Sequence, residues 1–472
     1  MATKICCSVR LLIAVLLCLC FTVLQMMTSN LGMAMVCMIN STAPNNSTSL
    51  PYHGSIEWTP EQQGLVFSAL SWGRMTMLLT GFLADKLNAK ILLVLSLIIS
   101  MISTFLIPAL SMTAFYLAML SRFLLGLGEA ILTPSVNSLL TRWFPCNERS
   151  LTLGMVTAGR QMGHLIILPT AGFLCTSTFL DGWPSIFYLS ALCAAVYLLF
   201  WLPLGADKPE HHWFVSEEEQ NYINKMNEQE QHSEKRKHRS VPWRRFASSG
   251  AVWASVFAVV CHEFPLMTLF NFLPEYLRDV GGTSPFVNGV LSALPTAALL
   301  AGKLLSSYVA GWLHRKEKLK PTAQCKLFNG LASTGLALFL ALVTVDKCSC
   351  HPAISVTILC LAMFSAGFHT PGCLTSLVSV APAYSGAVTG LAFFFVSLCG
   401  VANPLVIKSV IRTGAKHQWN YVFFGSALIA ALPVLVFSLF GSADVESWAV
   451  GADKNADRVH PAEEIIVTVS ID

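Results

Sequence analysis

Apolar residues in this chain come in long runs separated by short polar breaks. A run of ~20 apolar residues, rising ~1.5 Å per residue as a helix, crosses the roughly 30 Å of a bilayer's hydrocarbon core. Twelve such runs fall near 10–38, 63–84, 90–110, 115–140, 151–175, 184–204, 249–273, 285–312, 327–345, 354–378, 385–411 and 419–441. The first follows Lys4 and Arg10 as the core of a cleaved signal would, but it stays apolar to Met38 and so reads as a retained span. One long polar break, roughly 205–248, divides six runs from six. The pattern predicts an all-α membrane protein with twelve transmembrane helices in two six-helix halves. Its parts are an N-terminal half over 1–204, a central loop over 205–248, a C-terminal half over 249–441 and a tail over 442–472. A composition of 54% hydrophobic and 12% charged residues agrees with this class.

Charge adds orientation. Connections after even-numbered runs hold Lys86 and Lys90, Arg142 and Arg149, the cluster from Lys208 to Arg245, and then Arg315, Lys316, Lys318, Lys320 and Lys326. The others hold chiefly Arg278, Lys347, Arg412 and Lys416. Basic residues stay inside, so both termini and the central loop are expected in the cytoplasm. The sequons at Asn40, Asn45 and Asn46 fall in the first connection, which this topology places outside as glycosylation requires. The net charge of +4 serves this topology and is too small to argue for a nucleic-acid partner. Most of the fifteen cysteines lie in apolar runs, where they read as small hydrophobes, and no metal site emerges from them. No Gly-Lys-Ser/Thr phosphate loop and no nucleophile–base pattern is present, so ATP-driven transport and catalysis are unsupported and no cofactor is expected.

The stretch Gly81-Phe-Leu-Ala-Asp-Lys-Leu-Asn-Ala-Lys90 places Asp85, Lys86 and Lys90 between the second and third spans. It resembles the G-x-x-x-D-R/K-x-G-R/K loop of the major facilitator superfamily, with Asn88 where Gly is usual. A positive-inside turn is the simpler reading of the same residues. Seven further motifs narrow the resemblance. They are Glu57-Trp-Thr-Pro-Glu-Gln-Gln-Gly64, Arg122-Phe-Leu-Leu-Gly-Leu-Gly-Glu129, Trp143-Phe-Pro-Cys-Asn-Glu-Arg-Ser150, Gly182-Trp-Pro-Ser-Ile-Phe-Tyr188, Ala381-Pro-Ala-Tyr-Ser-Gly386, Trp419-Asn-Tyr-Val-Phe423 and Glu446-Ser-Trp-Ala449. In this order they look like the anion:cation symporter family, the branch that includes sialin, the vesicular glutamate transporters and the type I sodium-phosphate cotransporters. The resemblance implies the major facilitator fold, two six-helix halves rocking about a midplane site, with the Asp85 loop latching one state.

Arg122 and Glu129 stand in an apolar run, where an unpaired charge costs several kcal/mol. Seven residues apart, they share a helix face across roughly 10 Å of rise, too far for a simple salt bridge. Each needs another partner or water. The resemblance implies that Glu129 is the carboxylate that couples a proton or cation, with Arg122 biasing its charge state. A structural pair is the alternative.

The chain also departs from the family it resembles. Where relatives carry a substrate-contacting arginine in the first span, Met27-Thr-Ser-Asn-Leu31 has Thr28. Where glutamate transporters place an arginine twelve residues before a proline in the seventh span, counting back from Pro274 gives His262. Two basic residues appear instead at cavity positions of related members, Arg74 for a tyrosine and Arg160 for an amide, with His164 one turn beyond Arg160. Facing the cavity, they would relocate positive charge and keep an anion preference; facing the ends of the bundle, they would serve gates or snorkel.

Together these readings predict a secondary active transporter of a small organic or inorganic anion, coupled to H+ or Na+, monomeric, in the plasma membrane or an acidic vesicle or lysosome. Two other readings use the same sequence: a receptor or scaffold that kept the fold after losing transport, and a facilitator of neutral or cationic solutes.

Overall fold

The computed structural model describes residues 8–39, 54–77, 80, 87–144, 146–177, 182–223, 225, 243–316, 318–345, 352–381, 385–446 and 448–449. The sequons at Asn40, Asn45 and Asn46 and the loop residues Asp85 and Lys86 lie outside these.

Twelve long helices run through the described residues. They are α1 Val9–Met38, α2 Pro60–Arg74, α3 Ala89–Thr113, α4 Phe115–Trp143, α5 Cys146–Thr176, α6 Pro184–Leu204, α7 Gly250–Asp279, α8 Pro285–Arg315, α9 Pro321–Val345, α10 Pro352–Ala366, α11 Ser385–Val410 and α12 Lys416–Phe440. Ten of the described helices are by length and composition able to cross a membrane; α2 and α5 are the two that fall short. Only fifteen residues of α2 are described as one helix, and α5 carries Glu148, Arg149 and Arg160.

The helix starts follow local chemistry. Thr59 caps α2 through a reciprocal box: its Oγ1 accepts from Gln62 N at 3.3 Å, its own N donates to Gln62 Oε1 at 3.0 Å, and Pro60 takes the first turn. Asn88 caps α3 by accepting from Ile91 N at 3.2 Å. That gives the residue in place of the family's glycine a role of its own. Helix α10 continues to Ser379 through a tight turn at Gly367–His369 and a wide turn at Thr370–Leu374, in which Gly372 leaves helical geometry. A Cβ there would stand 2.8 Å from Asn329 N on α9, so the break needs glycine.

Packing repeats between the halves. In the first, α1 packs on α5 and α6, α2 on α4, and α3 on α4 and α6. Adding six to each number gives the second: α7 on α11 and α12, α8 on α10, and α9 on α10 and α12. The seam obeys the same rule, since its pairs α2–α11 and α5–α8 exchange under that shift while α1 meets α7. Six runs followed by six have become a pseudo-two-fold bundle.

One covalent tie was not expected. Cys37 at the end of α1 and Cys175 at the end of α5, read from sequence as small hydrophobes, form a disulfide with Cα atoms 6.1 Å apart. Both belong to the end of the bundle that the charge pattern assigns to the outside.

Candidate functional site

Helices α2 and α4 touch backbone to backbone. A Cβ on Gly126 would fall 2.1 Å from Leu70 O, and one on Gly73 2.3 Å from Phe123 O. This contact brings Arg74, in the last turn of α2, against Glu129 on α4. Arg74 donates from Nε to Glu129 Oε2 at 2.7 Å, and its Nη2 is 2.7 Å from the same oxygen. From α5, Arg160 Nη1 donates to the other oxygen, Oε1, at 2.7 Å. Arg160 is itself held, its Nη2 donating to Thr133 Oγ1 at 3.1 Å and its guanidinium lying 4.5 Å from the centre of the Phe21 ring on α1.

One carboxylate therefore holds two guanidiniums, and the group carries net positive charge. The Glu129 side chain is only 4% exposed, whereas Arg74 and Arg160 keep 26% and 29%. The acid is the buried partner and the bases stay partly exposed.

Arg122 does not join this clamp. Fully enclosed, it donates from Nη1 to Met27 O at 3.2 Å and from Nη2 to Thr28 O at 2.8 Å, and its Nε has no partner. Its charge is satisfied by the backbone of α1, and it acts on Glu129 through space. Thr28 enters through that carbonyl; its hydroxyl is turned back to Gln25 O at 3.1 Å. His164 is buried, its Nδ1 3.3 Å from Gln25 Nε2 and its ring 4.7 Å from that of Phe270 on α7. Lys90 donates to Leu202 O at 2.8 Å, tying α3 to α6 within one half.

Across the seam, the second half contributes residues that the sequence reading passed over. Glu263, next to His262 on α7, interacts electrostatically with Lys303 on α8 and with Arg74 and Arg160. Lys303 also reaches over the seam. With the Gln161 amide oriented to satisfy both its ends, Lys303 Nζ donates to its oxygen at 3.1 Å while its nitrogen donates to Thr157 O at 3.1 Å. His262 is buried against His369 of α10, ring centres 3.7 Å apart, and His369 lies 3.4 Å from Ser333 Oγ and 3.3 Å from Cys373 Sγ. Acidic and basic residues inside apolar runs were the available signal for Glu263 and Lys303.

The halves close on each other at the end that carries the C-terminus of α1. There Lys408 of α11, 2% exposed, donates to both oxygens of Glu275 on α7 at 2.6 Å and to Gln63 Oε1 of α2 at 2.7 Å. Around it, Phe67 packs on Phe272 at 5.0 Å, Ser68 Oγ donates to Val401 O at 2.8 Å, and Arg278 Nη1 donates to Val36 O at 3.4 Å. Gln63, Phe67, Ser68 and Val36 belong to the first half and their partners to the second.

Comparison with known proteins places this geometry. The chain is 28% identical over 466 residues to sialin of Homo sapiens, covering 95% of this chain and 92% of sialin. It is 27% identical to vesicular glutamate transporter 3 of Danio rerio, over 96% of this chain and 79% of that one. A probable small intestine urate exporter of Mus musculus is 29% identical, over 94% and 92%. Among solved structures, the inward open xylose transporter of E. coli superposes with a TM-score of 0.67 at 14% identity, covering 91% of this chain and 95% of that one. A bacterial homolog of the human lysosomal transporter Spinster gives 0.69 at 14% identity, over 93% and 97%. These likenesses establish the fold of two six-helix halves. The family model of the Major Facilitator Superfamily matches residues 15–404, and the chain belongs to that superfamily of membrane transporters.

Proposed function

We propose that this chain is a proton-coupled transporter of a small anion that works by alternating access. The observation that carries the reading is the Glu129 carboxylate held between Arg74 and Arg160. A carboxylate in that position is a resident anion. It occupies the two guanidiniums a substrate anion needs, in fork geometry suited to carboxylate or phosphate. A proton on Glu129 removes its charge and releases both guanidiniums, so proton and anion enter the site together. A sodium ion placed there would face two guanidiniums, whereas a proton needs no such space; this favours H+ over Na+ as the coupling ion. Arg122 adds positive charge from behind without giving up its backbone bonds.

The charge distribution of the loops and the sequons support reading the closed end as the outer one. A disulfide at the closed end fits an oxidising face. The Lys408, Glu275 and Gln63 cluster then acts as the outer gate, which must part for the outward-facing state. Relatives named for glutamate, urate and inorganic phosphate support an anion as substrate, and the near full-length similarity favours transport over a scaffold.

The test is uptake of a labelled anion panel into proteoliposomes with proton and sodium gradients imposed separately. Wild type should accumulate at least one anion under the proton gradient. Glu129→Gln should keep anion exchange across the membrane and lose accumulation. Accumulation by Glu129→Gln equal to wild type removes the coupling role, and no uptake of any anion by wild type removes the transport reading.

A further inference from the structure

A groove of about 510 Å³ runs along α9 and is lined by Lys326, Leu327, Gly330, Leu331, Thr334 and Gly335. This spacing keeps the six on one face of the helix over about 14 Å. Two glycines make the hollow. A Cβ on Gly330 would meet nothing within 4 Å, and one on Gly335 would fall 2.6 Å from Ser365 Oγ of α10, which walls one side.

The groove lies in the surface that a bilayer covers. Leu327 and Leu331 continue through Leu338 and Leu342 as a stripe of exposed leucines at helical spacing, on a helix long and apolar enough to cross a membrane. About 14 Å is close to one leaflet's share of the roughly 30 Å hydrocarbon core, so the groove has the length of an acyl chain's run from headgroup to midplane.

Lys326 marks its polar end. This lysine is half-buried on the second turn of α9, just after a connection that holds Arg315, Lys316, Lys318 and Lys320. Glu317, outside the described residues, is the one acid of that connection. The four basic residues are exposed, and among the described residues neither they nor Lys326 forms an ion pair. Lys318 Nζ stands 4.8 Å from the centre of the Trp312 ring, which is itself exposed in the last turn of α8. Tryptophan and basic residues together at a helix end belong at the headgroup level. An uncompensated basic cluster at the mouth of an apolar groove matches a ligand with an anionic head and a hydrocarbon tail, whereas a soluble anion would leave the groove unfilled.

We infer that this groove is a binding site for an anionic phospholipid. Its headgroup rests on Lys326 and the α8–α9 connection, and one acyl chain lies over Gly330 toward Gly335. None of these residues belongs to the Glu129 clamp or to the Lys408 cluster, so the site stands apart from the transport reading.

The experiment measures binding of dioleoyl phosphatidylserine and dioleoyl phosphatidylcholine to the full chain in detergent by native mass spectrometry. Wild type should bind a first phosphatidylserine at least fivefold more tightly than phosphatidylcholine, the effect of a single lysine beside an anionic headgroup. Lys326→Met should bring that ratio close to one. Gly330→Leu, which keeps every charge and fills the groove, should do the same. Weak binding of phosphatidylcholine by both variants reports that they are folded. Equal binding of the two lipids by wild type overturns the inference. A preference for phosphatidylserine that survives in Gly330→Leu assigns the binding to loop charge alone and overturns it too, as does one that survives in Lys326→Met.

Discussion

Two clusters of buried charge in this bundle use the same ingredients and differ in what they leave over. At the closed end, Lys408 and Arg278 meet Glu275 and Asp279, two cations to two acids, with Gln63 as a neutral partner, and the lysine side chain is 2% exposed. Within the first half, Arg74 and Arg160 share one acid, Glu129, and keep 26% and 29% of their side-chain surface. The first cluster is charge-balanced, sealed in an aromatic plug and stretched across the two halves. The second carries surplus positive charge, stays partly exposed and is confined to one half. A balanced, sealed pair is an internal contact; a surplus of one sign with an open side is a place for a ligand of the other sign.

Three substitutions test that contrast, in falling order of effect. Lys408→Met leaves Glu275 buried with only the longer contact to Arg278, at 3.7 Å, and should cost about 3 kcal/mol of stability. In a thermal unfolding assay in detergent the double variant Lys408→Met/Glu275→Leu should recover most of the loss. Failure to recover would mean that the pair is not an isolated unit. Arg160→Ala should do the reverse: a loss of anion affinity of about 1.5–3 kcal/mol, measured by binding or uptake competition, with a small change in melting temperature. A large fall in melting temperature at unchanged affinity would make the clamp structural and dissolve the comparison. Gln63→Ala removes only the strand of the outer cluster that crosses the seam, worth about 1 kcal/mol, or roughly fivefold in the balance between closed and open ends. Labelling of a cysteine placed at Phe67 by a membrane-impermeant thiol reagent should rise accordingly, and an unchanged rate would take Gln63 out of the gate.

Much of this molecule was legible along the chain. The runs at 10–38, 90–110 and 184–204 match α1, α3 and α6 closely, because apolar length is fixed by bilayer thickness and needs no knowledge of neighbours. The separation of Arg122 and Glu129 by two turns gave the correct negative result that they do not pair, since helix geometry alone decides it. The identity of their partners was beyond that reasoning. Arg74 is 55 residues from Glu129 and Arg160 is 31, and only the packing of α2, α4 and α5 sets them on its two oxygens.

The sequence by itself determined that the chain crosses a membrane many times in two similar halves, and which buried charges had to find partners. The tertiary structure decided which partners those are. It turned Glu129 into the centre of a two-arginine clamp, sent Arg122 to the backbone of α1 and joined Cys37 to Cys175. The physical reason is range: hydrophobic run length and helical spacing act within one segment, whereas a salt bridge or hydrogen bond acts over about 3 Å between segments whose approach is set by small residues such as Gly73 and Gly126.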